Sequence, residues 1–251
     1  MIRLHLEAGT DDGPIRTLIV SSARPGEGKS ITAANLAVAL AQTGLRTVLI
    51  DANLRRPSVH ELFQKPNARG VTTAMRPEEV GRAYEHTIES GVENLRLLLS
   101  GPFTDVGRSA PMRFLVPQRV LRLVDEFKKY ADIQIFDSPS ALDVMEAALL
   151  ARSCDAVLLV VQVRRTRAEQ LLQVREMLAR SRSRLLGIVL NRVARPSTGM
   201  PVSYYLERSS LPAPIAPAPR AVLPVPHVNA RGNMQQADVA EDRLFDRERH
   251  R

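Results

Sequence analysis

The segment running from Thr17 to Gln42 constrains the fold of this chain more than any other. An aliphatic run, Thr17-Leu18-Ile19-Val20, leads through Ala23-Arg24-Pro25-Gly26-Glu27-Gly28-Lys29-Ser30 into a helical pattern over about 29–42. A strand that turns through two glycines directly into a helix leaves the first amide N–H groups of that helix unpaired and convergent. Such a turn favours an anion. Gly26 and Gly28 let the backbone approach phosphate oxygens, Lys29 reaches the terminal phosphates, and the Ser30 hydroxyl completes the shell of a Mg²⁺ ion. The spacing is that of a phosphate-binding loop with Ala23 in place of the first glycine. Pro25, Gly26, Glu27, Gly28, Lys29, Ser30 and Ile31 are the expected nucleotide-binding residues.

The rest of the first 195 residues fits that beginning. Short apolar runs recur at 47–50, 95–99, 133–136, 156–161 and 185–190, separated by helical patterns at about 118–130, 143–152 and 167–182. Strands that are apolar throughout, joined by helices, predict an α/β fold: a mostly parallel sheet flanked by helices on both faces.

Two of these runs end on carboxylates. Asp51 follows Thr47-Val48-Leu49-Ile50 and opens Asp51-Ala52-Asn53-Leu54-Arg55-Arg56-Pro57; Asp137 follows Ile133-Gln134-Ile135-Phe136. In open parallel sheets ligands bind at the carboxyl ends of strands. Asp137 is therefore expected opposite Ser30 across the metal, and Asp51 to hold the metal's water shell or activate an attacking hydroxyl. Arg55 and Arg56 can stabilise charge on a transferring phosphoryl group.

Composition changes near residue 195. Eight prolines fall between Pro196 and Pro226, and the last 25 residues are polar and mixed in charge. Such a segment buries too little apolar surface to offset its ordering entropy. The expected organisation is a nucleotide-binding domain over 1–195 and a disordered tail over 196–251. The chain's 251 residues carry a net charge of +8, with one Cys and no Trp. A disulfide framework is excluded, and aromatic-rich single-strand readers are not expected. Arg164 to Arg184 holds seven arginines against Glu169 and Glu176. On a helix its charge is expected to face water, or alternatively an anionic membrane surface or an acidic tail of a membrane partner.

The runs Val20 to Ser30 and Val48 to Pro57 resemble the cytoplasmic domain of bacterial tyrosine kinases, the autokinases of capsular and exopolysaccharide export. Further matches are His60, Phe63, Pro66-Asn67, Gly70, Ser100-Gly101-Pro102, Asp155 to Val161 and Gly187 to Val193. The resemblance covers about residues 1–193 and implies an ATP- and Mg²⁺-dependent protein-tyrosine kinase. It implies that Lys29 and Ser30 bind phosphate and metal, that Asp51 and Asp137 serve the metal and the incoming hydroxyl, and that Asn191 lies where related ATPases meet the adenine. It makes Tyr204 and Tyr205 the phosphoacceptors, used in trans. It also implies a transmembrane polysaccharide chain-length regulator as partner, docked through its cytoplasmic segment. The expected location is cytoplasmic, peripheral to the inner face of the membrane.

The sequence departs from that family at several points. Asn53 stands where the family has a second Asp, and an amide cannot take a proton; activity is expected to be reduced. Ser140 follows Pro139 where a second proline is usual. Of the family's N-terminal Glu/Arg helix only Arg3 matches, and Thr104 to Ser109 replaces another assembly segment, so a homo-oligomer stays open. Arg24, where partition ATPases carry their signature Lys, lowers the weight of a partition-type ATPase. Specific nucleic-acid binding is not expected. An ATP-binding regulator that transfers nothing to protein remains as the alternative.

Overall fold

The computed structural model describes residues 14–102, 114–181 and 183–193. Six parallel strands and one short antiparallel strand form a single sheet in the order β3-β4-β2-β5-β1-β6-β7. The strands are β1 Thr17–Ser22, β2 Thr47–Asp51, β3 Ile88–Glu89, β4 Leu95–Leu98, β5 Ile133–Asp137, β6 Ala156–Gln162 and β7 Leu185–Asn191. Helices α1 Lys29–Gln42, α2 Val59–Leu62, α3 Val71–Ala74, α4 Pro117–Phe127, α5 Glu146–Ala151 and α6 Ala168–Arg180 lie between them, with 3₁₀ turns at Pro77–Glu79 and Ala83–His86.

The apolar runs are continuous because the central strands are covered on both sides: every residue of β1, β2 and β5 is buried. Successive side chains point to opposite faces, and two clusters result. On one face Leu18, Val20, Leu49, Ile135 and Val160 pack with Ala33, Ala34, Ala37, Leu40 and Ala41 of α1. The alanines let this helix lie close against the sheet. On the other face Ile19, Ile50, Phe136, Leu159 and Val161 meet Val120, Val124 and Phe127 of α4, Leu150 of α5, and Val174 and Leu178 of α6.

The expected elements form, with shifted bounds. The helix expected over 118–130 ends at Phe127, where Lys128 to Tyr130 turn away. That expected over 143–152 shortens to Glu146–Ala151. The arginine-rich segment is helical only from Ala168, so Arg164, Arg165 and Arg167 belong to the loop after β6. This corrects the expectation of one helix bearing the whole charge run. Arg182 and the tail over 196–251, with Tyr204 and Tyr205, lie outside the described residues.

Parallel strands put all their carboxyl ends on one rim. In the β2–β5 pairing Asp51 stands beside Asp137, and in the β1–β5 pairing Val20 stands beside Asp137. The turn after β1 therefore opens directly next to both carboxylates.

Candidate active site

The turn over 23–28 needs its glycines. Gly26 has φ 81° and Gly28 φ 96°, both in the left-handed region that side chains other than glycine rarely adopt. A β-carbon on Gly28 would also lie 2.1 Å from Nδ2 of Asn191. Helix α1 starts at Lys29 with no side-chain cap and no acid in its first turn. Its free N–H groups and the positive end of its dipole are left for an anionic ligand, and Ser30 and Ile31 belong to that first turn.

Glu27 holds the turn in shape from within. Its buried carboxylate accepts a hydrogen bond from Arg24 N at 3.0 Å and another from the Thr166 hydroxyl. Its carbonyl oxygen accepts from Asn191 Nδ2 at 2.8 Å. Asn191 is thus brought to the loop, with its amide nitrogen bracing the loop's backbone. Pro25 and Gly26 stay exposed at the tip.

Lys29 is buried, and its ammonium donates to the Ser30 hydroxyl at 3.4 Å. Beside them Asp137 is fully buried, and neither of its carboxylate oxygens has a hydrogen-bond partner among the described residues. Burial pushes its pKa up, against the opposing pull of the Lys29 ammonium and the nearby Ser30 hydroxyl. Asp51 is equally buried, and its pKa is raised first by desolvation and then by the charge of Asp137. Three backbone N–H groups orient it: Asn53 to Oδ1 at 3.2 Å, and Ser58 and Val59 to Oδ2 at 3.1 Å each. Asp51 thereby anchors the start of α2 while holding a fixed position on the rim.

An orphaned, fully buried carboxylate next to a lysine and a serine at a helix N-terminus is a costly arrangement unless a cation completes it. The donor set of Asp137 and Ser30 suits Mg²⁺, which binds through one or two protein oxygens and takes its other ligands from water and phosphate. No cluster of three or more His, Cys, Asp or Glu forms among the described residues, so a cation here depends on other ligands.

Asn53 is turned inward: its Nδ2 donates to Arg56 O at 2.9 Å. Arg55 donates through Nε at 3.0 Å and Nη2 at 2.6 Å to Oε1 of Glu146, which is 2% exposed at the start of α5. Arg55 therefore secures the loop after β2 to α5, while Arg56 is exposed. Sequence reasoning did not single out Thr166, Gln162 or Glu146. Thr166 meets Glu27 across 139 positions, Glu146 meets Arg55 across 91 and Gln162 meets Arg192 across 30, and no local pattern signals such contacts.

Residues 18–216 match the CobQ/CobB/MinD/ParA nucleotide binding domain. The chain is 36% identical over 191 residues to the tyrosine-protein kinase YwqD of Bacillus subtilis, covering 76% of this chain and 78% of that protein. It is 32% identical over 195 residues to the tyrosine-protein kinase CpsD of Streptococcus agalactiae, covering 77% and 80%. Among solved structures, the chimerical protein CapA2B2 superposes with TM-score 0.67 at 28% identity, covering 77% of this chain and 83% of that one. The kinase domain of the Escherichia coli tyrosine kinase ETK superposes with TM-score 0.69 at 25% identity, covering 79% and 75%. The loop, the paired carboxylates and these likenesses agree: the chain belongs to the bacterial tyrosine-protein kinases, built on the CobQ/CobB/MinD/ParA nucleotide-binding domain.

Proposed function

We propose that this domain transfers the γ-phosphoryl group of ATP to tyrosine hydroxyls, with Tyr204 and Tyr205 of another subunit as acceptors. The observation that carries the reading is the buried Asp137, without a hydrogen-bond partner among the described residues, beside Lys29 and Ser30 and paired in register with Asp51. The amides of the turn and the first turn of α1 hold the phosphates, and Lys29 neutralises charge on them. Ser30 and Asp137 hold Mg²⁺, which when bound draws charge from the phosphate oxygens. Asp51, whose raised pKa suits a proton acceptor, takes the tyrosine proton at a carboxylate oxygen as the bond from γ-phosphorus to the tyrosine oxygen forms. The bond from that phosphorus to the leaving ADP oxygen breaks in the same transfer.

No described helix is long and apolar enough to cross a membrane. The family resemblance supports a transmembrane polysaccharide chain-length regulator, whose cytoplasmic segment docks to this domain and activates it in capsule or exopolysaccharide export. Arg175 and Arg180, exposed on α6, add a basic surface suited to anionic lipid.

The test is phosphotyrosine on the purified full chain incubated with ATP and Mg²⁺, with and without that cytoplasmic segment. Signal is expected, and is lost in Lys29→Ala and in the double Tyr204→Phe/Tyr205→Phe variant. No phosphotyrosine even with the partner segment present refutes the reading. The inward hydrogen bond of Asn53 favours a second one, an ATP-binding switch that transfers nothing. Asn53→Asp separates them. A kinase short of one acid–base group gains about 10² to 10⁴-fold in phosphotransfer, and a switch gains none.

A further inference from the structure

Two segments remote in sequence close over the phosphate-binding turn. The loop after β6, residues 163–167, is tied to it through Thr166 and Glu27. The end of β7 is tied to it through Asn191 and the Glu27 carbonyl. Val163 N donates to Asn191 O at 3.1 Å, joining these segments to each other. On this braced frame stand two exposed arginines, Arg165 and Arg192.

Their guanidinium groups converge. Nη1 of Arg165 and Nη1 of Arg192 each lie 3.4 Å from the same acceptor, Oε1 of Gln162. Neither arginine forms an ion pair with a carboxylate among the described residues. Nη1 of Arg165 is also 3.4 Å from the point where a β-carbon on Gly26 would sit, which places its charge against the tip of the phosphate-binding turn. Arg192 holds φ 56°, and Arg164, next to Arg165, holds φ 66°. Both are left-handed conformations that a non-glycine residue adopts at a cost. Two cations gathered on one neutral oxygen repel each other, and an anion between or beside them removes that repulsion. The planar, multi-donor guanidinium suits phosphate oxygens in particular.

We propose that Arg165 and Arg192, held together by Gln162, form a cationic subsite for the phosphate chain of a nucleoside polyphosphate, alongside the amides of the turn. The proposal rests on the nucleotide-binding reading of that turn. It assigns a binding role to residues outside the phosphate-loop motif, and it explains why the loop after β6 is fastened to Glu27. Thr166 and Asn191 fix the frame, and the two arginines supply the charge.

Equilibrium binding by the full chain, with Mg²⁺, of ATP and of inorganic tripolyphosphate tests it. The proteins are wild type, Arg165→Gln, Arg192→Gln, the double variant, Arg165→Lys, and Arg175→Gln as a charge-matched control on α6. Each single Gln variant is expected to weaken ATP and tripolyphosphate alike by about tenfold, the loss of one charge-assisted hydrogen bond. The double variant weakens both further, Arg165→Lys recovers part of the loss, and Arg175→Gln changes neither. Weakened ATP binding with unchanged tripolyphosphate binding puts the guanidiniums on the base or ribose and overturns the proposal. So does a control that loses as much as the test variants, or no loss in any variant. A wild-type chain that binds tripolyphosphate but not ATP removes the nucleotide reading, while the arginine dependence of tripolyphosphate binding still decides whether the anion subsite exists. A wild-type chain that binds neither overturns both.

Discussion

The two ends of the sheet use the same residue type in opposite ways. At the carboxyl ends of the strands, Asp51 and Asp137 are fully buried side by side, and Asp137 has no hydrogen-bond partner among the described residues. At the amino ends, Asp155 accepts backbone N–H bonds from Arg16 and Thr17, both at 2.8 Å, and Asp132 accepts from Arg46 N at 2.9 Å and from its guanidinium at 2.6 Å. The amino-end carboxylates join neighbouring strands and are satisfied. The carboxyl-end pair is assembled by the same parallel register, but only Asp51 is satisfied there, by three backbone N–H groups, while Asp137 is left without a partner among the described residues. One rim holds the fold together, and the other holds unfavourable charge for chemistry.

The substitution expected to have the largest effect is Asp137→Asn. Phosphotransfer should fall by at least about 10²-fold, because the group proposed to hold Mg²⁺ has lost its charge. The nucleotide-free protein should become more stable at the same time, since an amide replaces a buried carboxylate that repels Asp51. A gain of roughly 1–3 kcal/mol corresponds to a thermal midpoint several degrees higher. Calorimetry of the nucleotide-free chain beside a phosphotyrosine assay reads both. A midpoint that falls with the activity would break the contrast between the rims, for Asp137 would then be a structural residue.

Loss of a carboxylate at the other rim should carry the opposite sign. Asp155→Ala removes the acceptor of two backbone N–H groups where β1 begins beside β6. A cost of about 1–3 kcal/mol is expected, with a lower thermal midpoint and nucleotide affinity unchanged, because the site lies at the far end of the strands. Binding measured well below the new midpoint checks the second half. A loss of affinity there would mean that the two rims are coupled through β1 and β6.

This division was partly legible in the residues. Asp51 and Asp137 are visible because each ends an apolar run, and a parallel sheet places such ends on one rim whatever the strand order. Their adjacency was not visible: it depends on β2 and β5 being neighbours, and periodicity reports burial, not pairing. The place of Arg55 after Asp51 points to charge stabilisation on phosphate, but not to the contact of its guanidinium with Glu146, 91 residues later. The lock between Glu27 and Thr166 spans 139 positions. The two-residue strand β3 and the four-residue helices α2 and α3 are too short for any periodic pattern to mark. The helical pattern over about 167–182 takes in Arg167 because composition alone does not show that the helix begins at Ala168.

The smallest expected effect sharpens the contrast through its dependence on pH. The Arg46 guanidinium beside Asp132 holds that carboxyl below its usual range, through the side-chain hydrogen bond first. A carboxyl depressed in the folded state binds fewer protons there than in the unfolded chain, so it stabilises above the unfolded value of about 4 and ceases to as pH falls through the folded value. The pair is well exposed, and solvent screens it. Asp132→Asn should therefore lower the thermal midpoint only slightly at neutral pH, and the difference from wild type should shrink as the medium is acidified. Asp137→Asn should behave in the opposite sense, because a carboxyl raised in the folded state binds more protons there: its advantage over wild type should grow as pH rises above the ordinary carboxylate range. Midpoints of both variants, taken across pH without nucleotide, should thus diverge from wild type in opposite directions. Parallel curves would mean that the carboxylates at the two rims are held in the same way.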